Sequence, residues 1–129
     1  MKTVALSVLL AALVGCATQS TLNPTTMNPG SAGTISARET SNGNTKLDVD
    51  LKFLPPPAAV GANTYVVWIR PQGGRFINVG QVGIDQQRRG HLETTTPHDS
   101  FVVLVTGEDS GTASAPSETV ILTGVVDNK

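Results

Sequence analysis

The chain is short of several things, and each shortage narrows what it can be. It holds one cysteine in 129 residues, so no disulfide can form within it. It holds 2 histidines, whereas a zinc site draws on three or four ligands and a copper–zinc site on several histidines at set positions. Its one extended apolar segment, Val4–Val14, is 11 residues long, about half of the roughly 20 that a membrane-crossing helix needs. Positive charge is sparse and scattered, with 9 Lys+Arg against 10 Asp+Glu. A nucleic-acid surface requires concentrated cations, so no nucleic-acid partner is expected.

What is present begins with an address. Met1-Lys2 is a short positive start, Val4–Val14 has the length of a signal-peptide core, and the segment runs directly into Cys16. An ordinary secretory leader would end in a small-x-small cleavage site. This ending instead resembles the bacterial lipoprotein signal, the lipobox, at all four of its positions: Leu13, Val14, Gly15 and Cys16. The resemblance implies that the Cys16 thiol takes a diacylglyceryl group, that the chain is cut after Gly15, and that the new amino group is acylated too. It also implies a location. Ala17, not being aspartate, permits sorting to the outer membrane, with the protein facing the periplasm. The membrane is then a partner through the acyl chains on Cys16, since two or three chains hold stably where one holds only marginally. With that thiol modified, cysteine-based metal binding and nucleophilic catalysis are excluded downstream.

Residues 1–15 are thus a lipoprotein signal peptide. Residues 16–31 are expected to be a lipidated N-terminus and flexible linker, because "ATQSTLNPTTMNPGS" is uncharged, rich in Thr, Asn, Pro and Ser, and without apolar period. Residues 32–129 are expected to form one domain, large enough to bury its own core. Loss of Lys2 with the leader leaves 8 Lys+Arg against 10 Asp+Glu, a formal charge of −2.

Within that domain the period is two. "TKLDVDLKF" alternates without a fault, which puts Leu47, Val49, Leu51 and Phe53 on a buried face and Lys46, Asp48, Asp50 and Lys52 on a wet one. "GTISARET" precedes it as a weaker strand, and Asn42-Gly43 between them predicts a type I′ hairpin turn. Pro55, Pro56 and Pro57 stop the second strand by removing ladder donors. "TYVVWIR" and "SFVVLVTGE" are apolar on both faces and read as central strands. "RFINVGQVGID" reads as two short strands or one interrupted near Gly80, with "HLETTT" and "ETVILTGVV" completing the set. Strands at this spacing, with no helical period beyond the leader, predict an all-β, immunoglobulin-like β-sandwich of seven or eight antiparallel strands.

From "TYVVWIRPQGG" through "NVGQVGIDQQRRGHLE" to "FVVLVTGEDSGTASAPSETVILTG", about Thr64 to Gly124, the chain resembles the extracytoplasmic C-terminal domain of anti-sigma-K-type factors. Tyr65 and Trp68 match that family's Tyr-x-x-Trp strand, Gly80 and Gly90 its glycine-bearing strand pair, and Pro116, Val120 and Gly124 its last strand. The resemblance implies the sandwich and an envelope-facing sensing or docking role. It does not imply direct sigma binding, because a lipobox and linker stand where such a factor carries a cytoplasmic region and a transmembrane helix.

Residues that could carry chemistry are few. His91 and Glu93 share a strand face and His98 lies past the next turn, which is too few ligands for a metal. There is no Gly-x-Ser-x-Gly segment, and His98, Asp99 and Ser100 are consecutive on a turn, where side chains diverge instead of forming a relay. No enzymatic activity and no cofactor are expected. Arg70, Arg75, Arg88 and Arg89 lie in or beside two turns that a sandwich could bring to one end, as a solvated loop surface in the first reading and, in the second, as an interaction surface for anionic envelope lipid or polysaccharide. Tyr65, Val67 and Ile69 on one strand, with Val102 and Leu104 or their alternates on another, are candidates for an apolar interaction surface, while Trp68 with Val103 and Val105 is expected to fill the space between sheets. The function that follows is a lipid-anchored envelope protein with a binding or structural module, for which an envelope protein is a candidate partner; a sensing accessory is the alternative.

Overall fold

The computed structural model describes residues 17–128. The motif Leu13–Cys16 and the leader lie outside the described residues. Eight strands follow in order: β1 (Thr18–Pro24), β2 (Ala32–Glu39), β3 (Thr45–Lys52), β4 (Thr64–Pro71), β5 (Ile77–Val82), β6 (Gly90–Thr96), β7 (Ser100–Glu108) and β8 (Val120–Asp127). The one helical element among the described residues is a 3-10 turn at Pro57–Val60.

All pairings are antiparallel, in the order β5-β4-β7-β8-β1-β2-β3-β6. The ribbon folds into two layers, a first sheet β1-β2-β3-β6 and a second sheet β8-β7-β4-β5. β1 belongs to both, since Thr18–Leu22 pair with β2 while Asn23 and Pro24 pair with β8. The order β8-β7-β4-β5 is that of the G, F, C and C′ strands of an immunoglobulin-like sandwich, and β3 beside β6 is that of B and E. Two seams join the layers, and glycine permits both. A Cβ on Gly90 would lie 2.6 Å from Val82 where β6 meets β5, and one on Gly124 would lie 2.8 Å from Leu22 where β8 meets β1.

The core fills the space between the layers. Ile35, Leu47, Val49 and Leu51 come from the first sheet, and Tyr65, Val67, Ile69, Val103 and Val105 from the second, each at most 1% exposed. The alternation of β3 places Leu47, Val49 and Leu51 inward as its pattern predicts. Phe53 departs from it: the residue is 61% exposed, because its backbone turns left-handed (φ 62°) and breaks the pleat. Leu54 takes the core position instead, wholly buried. The β2–β3 hairpin also differs from expectation. Only Gly43 has positive φ, where a type I′ turn needs two such residues. Thr40 N–H donates to Asn44 O and Gly43 N–H to Thr40 O, so the loop is a three-residue one with Gly43 at its left-handed position.

The largest correction concerns the expected linker. Thr18–Pro24 is not a loose tether but strand β1, and the domain begins there instead of at Ala32. Its polar composition hid it. Only Leu22 reaches the core, so no apolar alternation appears; the strand is held by its backbone ladder to β2 and by the threonines, which suit extended structure. Thr25–Ser31 then turns back, with Asn28 N–H donating to Thr25 O and Ser31 N–H to Asn28 O.

Antiparallel pairing defines two ends. The start of β1, the end of β8 and the β2–β3, β4–β5 and β6–β7 connections share one end, here the lower. The Pro-rich β3–β4 connection, the β5–β6 turn and the long β7–β8 loop share the upper end.

Candidate functional site

The outer surface of the second sheet is where the chain does something its strands alone do not require. On β4, Val66 and Trp68 point away from the core, yet both are wholly buried. Trp68 therefore does not fill the space between the sheets with Val103 and Val105; it lies on the opposite side of the same strand. What seals it is Asp109–Thr119, the β7–β8 loop. Asn78, opposite Trp68 on β5, donates through Nδ2 to the carbonyls of Gly111 (2.9 Å) and Ala113 (3.0 Å), which fixes the loop across β5 and β4.

A buried polar chain anchors that loop. Trp68 Nε1 donates to Thr106 Oγ1 at 2.8 Å, and the Thr106 hydroxyl donates to Glu108 Oε2. The same carboxylate oxygen accepts the Ser117 N–H at 2.7 Å, while Ser117 Oγ donates to Gly107 O at 2.8 Å. Glu108 is only 6% exposed. A carboxylate so placed is tolerable because strong donors converge on it, and no buried side-chain polar atom among the described residues is left without a partner. The arrangement holds the loop down against the end of β7.

The cover ends halfway along the sheet. Toward the lower end, Val102 and Leu104 are half-buried and Val125 is 64% exposed. Beside them is an open cleft of about 390 Å³ bordered by Arg70, Pro71, Ser100, Val102, Val125 and Asp127. The Arg70 guanidinium rests over the Phe76 ring, 5.2 Å from its centre, which holds one wall of the neighbouring β4–β5 turn.

The residues singled out from sequence are therefore dispersed. Tyr65, Val67 and Ile69 do not form a surface: all are wholly buried between the sheets. Both faces of β4 are apolar, so alternation could not decide which side turned inward. The Tyr65 hydroxyl donates to Pro55 O at 2.7 Å, and burial pushes the phenol up to about 12. The arginines do not gather at one end either. Arg75 lies in the lower β4–β5 turn, whereas Arg88 and Arg89 lie in the upper β5–β6 turn, because the two turns are at opposite ends of β5. Asp85 organises the upper turn: its Oδ1 accepts the Gln87 and Arg89 N–H groups, both at 2.9 Å, and Arg88 takes the left-handed position (φ 63°).

The outer surface of the first sheet gathers His91 and Glu93 but not His98, which lies in the lower β6–β7 connection. His91 Nδ1 is 2.9 Å from Asp50 Oδ1 and its Nε2 is 3.6 Å from Asp48 Oδ1; Lys46 Nζ is 3.0 Å from Glu93 Oε2. The Asp50 hydrogen bond, aided by the negative charges of Asp50, Asp48 and Glu93, raises the imidazole above its ordinary value. The Lys46 hydrogen bond and charge lower the Glu93 carboxyl below its own. Among the described residues no group of three His, Cys, Asp or Glu is placed to hold a metal ion, and no helix is long and apolar enough to cross a membrane.

Sequence reasoning missed the Trp68–Thr106–Glu108–Ser117 chain. The one signal for it was Thr106 and Glu108 closing an otherwise apolar strand just before a Ser- and Gly-rich loop. No protein-family model matches the chain, and no curated protein matches it either.

Proposed function

We propose that the protein is a lipid-anchored bacterial envelope protein whose β-sandwich is a non-catalytic binding or structural module. Acyl chains on Cys16 hold it at the membrane, the outer membrane in this reading, with the domain facing the periplasm. The module engages another envelope protein through the open strip of the second sheet. The observation that carries this reading is the half-finished cover of that sheet. Val66 and Trp68 are sealed by Asp109–Thr119, while Val102, Leu104 and Val125 beside Arg70 are not. A strip that mixes apolar side chains with Arg70 and Asp127 at the border of an open cleft has the chemistry of a protein contact.

Two experiments test it. Replacing Cys16 with serine moves the protein from the membrane to the soluble fraction; retention with the membranes would remove the anchor from the proposal. A photocrosslinking residue at Val125 captures a discrete envelope protein in intact cells, whereas one at Gln19, exposed on the outer surface of the first sheet, does not. Equal capture from both positions, or none from Val125, overturns the docking strip.

A further inference from the structure

β1 begins at Thr18, so two residue steps separate an anchor on Cys16 from the folded sheet. Two residues span at most about 7 Å, far less than the roughly 20 Å that a loose fifteen-residue coil would give. The start of β1 is also tied down. Thr18 Oγ1 donates to Asn128 Oδ1 at 2.6 Å, and Asn128 N–H donates to Asp99 O at 2.9 Å, which joins β1, the end of β8 and the β6–β7 connection. Thr18 itself is in register with Ala37 of β2. The anchor is thus fixed to one end of the sandwich and not to a swinging arm.

We infer that the domain rests on the bilayer by its lower end, so that the partner of that end is the phospholipid headgroup layer. This rests on the lipid-anchored reading above and adds an orientation to it. The surface presented is formed by Thr40–Asn44, Gln72–Phe76 and Pro97–Asp99, which carry one arginine, Arg75, one aspartate, Asp99, and one histidine, His98, among Thr, Ser, Asn, Gln, Gly, Phe and Pro. At and near this end Arg38, Arg70 and Arg75 stand against Glu39, Asp99 and Asp127, and Lys46, level with Arg38, is paired with Glu93. With charge balanced, the covalent anchor sets the contact and electrostatic attraction does not, so the orientation is insensitive to salt. The upper end, with Arg88 and Arg89, stands away from the lipid by about the length of β7. That strand has 9 residues, which at roughly 3.3 Å each gives about 30 Å. The open cleft beside Val125 lies in the half nearer the bilayer, so its occupant approaches along the membrane.

The test uses the only cysteine to advantage. Once Cys16 is lipidated, a cysteine introduced elsewhere is the sole target for a maleimide dye. The full-length Asn42→Cys and Gln87→Cys variants are made in a lipidating bacterial host, purified, labelled with a donor and placed in vesicles that contain an acceptor on the headgroup of phosphatidylethanolamine. Energy transfer from Asn42, at the lower end, is expected to exceed that from Gln87 severalfold, in low and high salt alike. An insertion of about ten Gly and Ser residues between Ala17 and Thr18 supplies a loose coil and removes most of the difference. Equal transfer from the two positions in membrane-bound protein overturns the orientation and leaves the anchor standing. Labelling of the wild-type chain at Cys16 shows an unmodified thiol, and then the anchored reading fails and takes the orientation with it.

Discussion

On the outside of the first sheet, Lys46, Asp48, Asp50, His91 and Glu93 stand in water and pair with one another across β3 and β6. On the outside of the second sheet, Val66, Trp68 and Thr106 are wholly buried beneath a loop of the same chain. Both surfaces are backs of a four-stranded layer, and both leave their strands fully paired or at a seam. The difference lies in what the outward residues demand. Charged side chains are satisfied by solvent, so their pairs contribute little. An outward tryptophan demands removal of apolar surface from water, and its indole N–H demands an acceptor once it is buried. The β7–β8 loop meets the first demand and Thr106 of β7 the second, and the loop, a segment without regular structure, is tied to the strands by four named hydrogen bonds, two from Asn78 and two from Ser117.

The comparison breaks or holds first at Trp68. Trp68→Ala should cost about 3–5 kcal/mol, the range for deleting a buried large aromatic, whereas Asp48→Ala on the opposite surface should stay within about 0.5 kcal/mol. Urea unfolding of the two variants measures both. A Trp68→Ala cost below about 1 kcal/mol would mean that the loop does not seal the second sheet.

Glu108 is next in size. Glu108→Ala leaves the Ser117 N–H and the Thr106 hydroxyl without their shared acceptor, a loss of about 1.5–3 kcal/mol for bonds to a charged group. The loss is local. A nonspecific protease should cut within Asp109–Glu118 well before the rest of the domain opens, while Glu108→Gln, which keeps a carbonyl oxygen, should recover much of the protection. Cleavage at the same rate in Glu108→Ala and wild type would show that the loop is held by its other bonds, those of Asn78 and of Ser117 Oγ, without Glu108.

The two surfaces also differ in how far they were legible in the sequence. The back of the first sheet was readable because period two separates one wet and one dry face, as Lys46 and Leu47 do in β3. Eight antiparallel strands, almost no helix and the sandwich class follow from the same pattern and from the turn residues. The back of the second sheet was not readable in that way. β4 is apolar on both faces, so pattern could not say that Tyr65 turns inward and Trp68 outward, and only pairing with Val82 and Gly107 on either side fixes it. β1 failed to show for the opposite reason, since one inward leucine makes no period. Arg75 and Arg88 could be placed in turns but not at an end, because the end depends on strand order, which local pattern does not encode.

The smallest expected effect belongs to the wet surface, and its sign can be worked out. His91 has an ordinary value of 6.5, raised in the folded protein by its hydrogen bond to Asp50 and by the surrounding carboxylates. The folded state therefore holds the imidazole proton more tightly than the unfolded chain. The resulting stabilisation is fully present below pH 6.5 and is lost as pH rises through the folded value. Its size is limited by exposure, since the His91 side chain is 54% exposed, and solvent-screened pairs of this kind contribute less than about 1 kcal/mol. The useful quantity is a difference of differences. The change in unfolding free energy from pH 8 to pH 5 should be more favourable in wild type than in His91→Gln, by no more than about 1 kcal/mol. Trp68 has no titrating role, so the cost of Trp68→Ala should be the same at both pH values. If the His91→Gln variant instead lost several kcal/mol at pH 5, the charged surface would be as structural as the sealed one, and the contrast between the two backs of the sandwich would collapse.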